Sequence, residues 1–317
     1  MKRTLLLALS LGGSLLLRAQ YSIPMGDIAI RDPFVTVDVK NQRYVIVTTA
    51  HQEGHFGFRA YESRDLRMWR DCGIVGVADE GYTAGAVPGK DSWWAPDTYA
   101  YRGRYYTIVT FSRQEDERLR CCTLFDGGKE ALGPYRSALT EAENVSLTPS
   151  GQQCLDGSLY VDRKGCPWLV YSKEWNGPDV QNEIGETWAI RLRKDLKGTK
   201  GKPIRLFRAS DAGWPRGEGA NVVDAPYIVR DAESGNLILL WSSFQNGVYC
   251  IGQAVSRSGK VEGPWEHLPE VVYRGGGHQM VFQDLQGNWQ MSFHKDNNNA
   301  HLCILPIAFR EGRVVLK

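Results

Sequence analysis

Helical periodicity is almost absent from this chain of 317 residues, and so is any charge imbalance, with 38 Lys and Arg against 36 Asp and Glu. The first absence points to an all-β protein. The second leaves nothing to attract nucleic acid or an anionic membrane. Cysteine signals are missing too. There are seven, an odd number with no C-x-x-C pair, so neither a zinc site nor a disulfide framework is indicated. Cys72, Cys121, Cys122, Cys154, Cys166, Cys250 and Cys303 read as thiols buried on strands, with room for one bridge in an exported protein. Nor is there an apolar run long enough to span a bilayer. The run from Leu5 to Leu17 follows Lys2 and Arg3 and ends near Arg18-Ala19-Gln20. That is the form of a secretory signal, so residues 1–20 are expected to be a leader and the protein to be periplasmic or extracellular. No cysteine stands at the cleavage point to carry a lipid anchor. Removing Lys2, Arg3 and Arg18 takes the formal charge from +2 to −1.

What the chain does have is a repeat. Five short patterns start at Asp32, Asp97, Asp156, Asp224 and His278, 54 to 68 residues apart. Each leader opens an alternating apolar stretch, followed by a turn and a second strand marked by Tyr44, Tyr106, Trp168, Leu237 or Trp289. Trp69, Tyr135 and Trp265 recur later in their repeats, the last two in Gly-Pro-aromatic turns that would close an outer strand. Repeats of this length built from hairpins are the blades of a propeller. Length alone would allow two small domains, but the repeat predicts one five-bladed β-propeller over residues 21–317. The first strand of each blade lines the channel, so all five leaders are expected on innermost strands and pointing at one axis.

Carboxylates gathered in this way suit glycosidic bond cleavage. Inversion needs one carboxylate to activate water and one carboxylic acid to protonate the leaving oxygen, about 6.5–9.5 Å apart. A third acid nearby raises the donor's pKa by like-charge repulsion. A single Asp at a strand start is more often a turn cap. Four at one repeat position point to function. Eleven per cent aromatic residues suits strands and also sugar binding. Phe34, Trp93, Trp94 and Tyr99 are candidates for a sugar platform. The irregular stretches 174–188 and 211–223 would form specificity loops on one rim.

Arg31-Asp32-Pro33-Phe34, Ser92-Trp93-Trp94-Ala95-Pro96-Asp97, Leu155-Asp156-Gly157-Ser158, Asp224-Ala225-Pro226-Tyr227 and Gly277-His278 together resemble glycoside hydrolase family 43, over essentially the whole mature chain. Pro167 to Trp175 and Leu240 to Phe244 further resemble a bacterial branch acting on plant polysaccharide side chains. The resemblance implies that Asp32 is the general base and that Asp156 tunes and orients the acid. The general acid then falls to Asp224, where the family usually presents Glu. Asp is one methylene shorter, so Glu218, Glu174 and Glu186 are alternative donors. Phe34, Trp94, Asp97, Glu174 and His278 are the expected substrate contacts. No cofactor is required, although the resemblance implies that His278 could hold an axial calcium or a water. Calcium prefers oxygen ligands, which weakens the metal option.

The expected protein is therefore an exported, monomeric, inverting and exo-acting glycosidase with an oligosaccharide or polysaccharide substrate and no membrane span. It is expected to release α-L-arabinofuranosyl units, with β-xylosidase or galactosidase action as the runner-up. A propeller that binds sugar without cleaving it is the rival, kept alive by the Asp at 224. A retaining fructan enzyme is disfavoured, because Asn-Asp-Pro-Asn-Gly is lacking and Cys154 follows Gln153 rather than Glu.

Overall fold

The computed structural model describes residues 21–52, 55–77, 91–113, 119–139, 146–175 and 184–317. The leader expected over residues 1–20 and part of the 174–188 stretch lie outside them. The described residues form five antiparallel sheets in sequence order, which are the five blades of a propeller. Their innermost strands carry or directly follow the leaders: Val35–Asp38, Asp91–Tyr101, Cys154–Val161, Asp224–Arg230 and Gly276–Gln283. Each pairs with the strand that follows it in the chain, as a hairpin must. No helix among the described residues is long and apolar enough to cross a membrane.

The core explains why the strands read as apolar runs. It is divided into five clusters, each lying between two adjacent blades and drawing side chains from both. A strand inside a blade is therefore buried on both faces. In Leu237-Ile238-Leu239-Leu240-Trp241, alternate residues turn to opposite sides. Leu237, Leu239 and Trp241 pack with Trp168 and Val170 of blade three. Ile238 and Leu240 pack with Val281 and Met291 of blade five. The ring closes where residues 28–30 lie against blade five: Ile30 N donates to Ala300 O at 3.1 Å and Leu302 N to Ile28 O at 3.0 Å. All seven cysteines are free thiols, so the bridge that the sequence allowed does not form.

The five leaders are not equivalent, contrary to the sequence alignment. Four inner strands carry a bulge in which two residues oppose one on the neighbour, after Trp94, Leu155, Asp224 and Gly277. The first bulged residue is left-handed in each: Ala95 (φ 49°), Asp156 (53°), Ala225 (48°) and His278 (55°). Asp32 (53°) has the same conformation just before the blade-one strand. Asp224 thus stands one residue before its bulge and Asp97 two residues after its own bulge begins. The sequence repeats on its carboxylates, whereas the backbone repeats on a position that alanine fills twice.

Candidate active site

The bulges bring side chains from several blades into one cavity of about 520 Å³ whose lining includes Asp32, Trp94, Asp156, Glu174, Asp224 and His278. This volume is in the range usual for small-molecule sites. Each left-handed residue costs about 1–3 kcal/mol unless its surroundings hold it, and here neighbouring blades do so. Asp156 N donates to Thr110 Oγ1 at 2.9 Å, His278 N to Ser242 Oγ at 3.0 Å, and Asp32 N to His294 Nδ1 at 3.2 Å. In all three the acceptor sits on the second strand of the preceding blade, counting blade five as preceding blade one. The same bonds that join the ring hold the site.

His278 is central to the electrostatics. Its Nδ1 lies 3.1 Å from Asp32 Oδ1 and 3.7 Å from Asp156 Oδ2. Burial opposes its charge, but Asp32 and Asp156 prevail and raise its pKa to about 10, so it is an imidazolium at neutral pH. Burial would push Asp32 up, yet the His278 charge and hydrogen bond hold it well below the usual carboxylate range. Asp32 is therefore ionised. Asp156 is raised, by burial first and by Asp32 against the pull of His278. Its Oδ2 accepts from Ala225 N at 3.0 Å, next to Asp224 in the chain. Burial and then the Asp156 charge push Asp224 up to about 7.

Four candidates lie elsewhere, Tyr99 among them, which packs against the core clusters on either side of its strand. Phe34 is buried and absent from the cavity wall, its ring 4.6 Å from Tyr99 and 6.2 Å from Tyr227 in the core between blades five and one, so it packs instead of facing a sugar. Asp97, two residues past its bulge start, is also absent from the cavity wall; its Oδ2 accepts from Tyr99 Oη at 3.1 Å, and burial raises it to about 8. Trp93 joins the core between blades one and two. The alternative donors divide. Glu218 is exposed and away from the cavity, and Glu186 is held by Arg205, Arg208 and Trp188. Glu174 does line the cavity, ion-paired with Arg120, whose guanidinium lies 4.3 Å from the Trp94 ring centre.

Residues missed at the sequence level include Arg120, Trp175 and Tyr249 on the cavity wall, and His294 behind Asp32. Trp175 ends a segment that had been singled out, whereas the other three lie in strands with no distinguishing motif. For a calcium, the donors present do not form a cage. Among the described residues no group of three or more His, Cys, Asp or Glu could hold a metal. His278 brings one imidazole nitrogen already engaged with Asp32, whereas calcium takes six to eight oxygens.

The profile of Glycosyl hydrolases family 43 matches residues 21–314. The chain belongs to that family. Among solved structures of similar fold, one described as an endo-arabinase from Bacteroides thetaiotaomicron VPI-5482 is 40% identical, with a TM-score of 0.79 over 92% of this chain and 99% of that one. A thermostable family-43 glycoside hydrolase is 21% identical, with a TM-score of 0.75 over 94% of this chain and 96% of its own. Extracellular endo-α-(1→5)-L-arabinanase 1 of Bacillus subtilis (strain 168) is 23% identical over 239 residues, 70% of this chain. This chain spans 46% and 64% of the length of two curated relatives it matches, the second being that arabinanase.

Proposed function

We propose that this family-43 hydrolase cleaves α-L-arabinofuranosyl linkages with inversion, using Asp32 as base and Asp224 as acid. The observation that carries this reading is the placement of two carboxyls in one cavity with opposite surroundings: Asp32 lies 3.1 Å from the His278 imidazole, which favours its charge, and Asp224 is buried beside Asp156, which favours its acid form. Asp32 takes a proton from water as the water oxygen bonds to the anomeric carbon. The glycosidic C–O bond breaks on the opposite face, and its oxygen takes the proton of Asp224. Asp156 supports the acid twice, by its charge and by fixing the backbone at Ala225.

Arabinofuranosyl specificity is supported by the likeness, at 40% identity, to a protein described as an endo-arabinase. The sequence alone suggested removal of terminal units, and that relative favours the second reading, cleavage within an arabinan chain. Linear arabinan separates the two. Monomer alone as the early product supports terminal release, a ladder of oligomers supports internal cleavage, and no hydrolysis sinks both. Proton NMR of the first product supports inversion if the new reducing end appears as the β anomer.

A further inference from the structure

Asp224 does not stand alone on the cavity wall. Tyr249, on the blade-four strand Val248–Ser256, donates its hydroxyl to Asp224 Oδ2 at 3.0 Å. The phenol is buried and lines the same cavity. It gets there because blade five has glycine beside it: a Cβ on Gly277 would stand 2.1 Å from the Tyr249 ring. The ring also stacks on His294, with centroids 5.7 Å apart and planes at 17°. His294 in turn touches Asp32. One rigid aromatic pair thus runs from the base to the carboxyl proposed as acid.

We infer that Tyr249 is the positioning residue for Asp224, binding Oδ2 so that Oδ1 carries the transferable proton, and that Gly277 provides the space for it. The inference rests on the assignment of Asp224 as acid. A short Asp side chain has less reach than Glu, so its direction matters more. A tyrosine hydroxyl fixes that direction at little entropic cost. Because it donates, it favours the ionised carboxyl and holds Asp224 below the pKa that burial and Asp156 would otherwise give.

Tyr249→Phe keeps the ring and the stack and removes only the donor. For arabino-oligosaccharides kcat should fall about 10–100-fold with KM within about twofold, while an aryl arabinofuranoside with a dinitrophenolate leaving group should slow by less than about threefold. The carboxyl of Asp224, followed by ¹³C NMR and identified with Asp224→Asn, should titrate at higher pH in Tyr249→Phe than in the parent. Gly277→Ala, which displaces the ring, should give the same leaving-group selectivity provided its melting is cooperative. Support requires both the kinetic selectivity and the carboxyl shift in Tyr249→Phe. Equal losses on the two substrates, or an unmoved carboxyl, overturn the inference. Asp224→Ala on the same substrates keeps the two ideas apart. Without leaving-group selectivity it refutes the acid assignment; with selectivity, and Tyr249→Phe at parental rates, only the role of Tyr249 falls.

Discussion

At the scale of single residues, burial and mutual repulsion divide four neighbouring carboxyls between charged and neutral forms. His278 satisfies Asp32 first, at 3.1 Å, and Asp156 and Asp224 share what remains. The rate should follow. A proton donor with its pKa raised to about 7 is protonated below that value and loses its proton above it, so kcat/KM should decline above about pH 7. Asp156→Asn removes the neighbouring negative charge, so the decline should move to lower pH. A limb that stayed in place or rose would refute the coupling. Asp32→Asn should cost at least ~10² in kcat while its melting stays cooperative, so that the loss is not one of folding. Asp97→Asn makes the contrasting case. Asp97 is raised to about 8 and so is neutral at pH 7, and it lies off the cavity wall. An amide imitates it well, and steady-state assays should find less than about a threefold change in kcat/KM, far below a catalytic effect. Asp32, Asp156, Glu174, Trp94 and His278 were legible in the sequence as members of one site. The absence of Asp97 and Phe34 from the wall was not, because a carboxylate two residues past the start of a bulge reads like one at the bulge, and an aromatic ring reads the same whether it packs in the core or faces a cavity.

At the scale of elements, the inner hairpins were legible for a simple reason: strands buried on two faces give unbroken apolar runs, as in Leu237 to Trp241. The bulges were not legible. Among residues other than glycine, Asp, Asn and His visit the left-handed region most readily, so Asp32, Asp156 and His278 announce the position. Ala95 and Ala225 hold the same conformation and conceal it. Tyr249 was hidden for another reason, since its role depends on a glycine in the next blade. Strand packing makes its own prediction. Leu239, fully buried between blades three and four, should cost about 2–5 kcal/mol as Leu239→Ala, read by chemical denaturation. A loss under 1 kcal/mol would mean that the wedge can collapse around the missing side chain.

The five-fold ring is the one feature of the whole molecule that spacing alone disclosed, because hairpin units of this size have few ways to bury both faces. How the ring closes could not be read from the repeat, since the closing residues 28–30 precede its first copy. Ile30 is buried between blades five and one while its amide bonds to Ala300. Ile30→Asp should strand a charge there and lower the melting temperature by several degrees, consistent with the cost of burying an unpaired charge. The division of the core into five separate wedges reaches further. The blades meet at the axis, so the thickness of each wedge sets an angle, and the five angles together set the aperture at which the carboxyls face one another. The molecule works like an iris diaphragm. Exchanging a leucine for a valine between two blades removes a methylene from that wedge, and its repacking would be felt at the aperture without a change in any residue of the site. Substrate preference in such a protein can therefore drift through its packing, and variants selected for a new sugar should carry changes in these wedges as often as on the cavity wall.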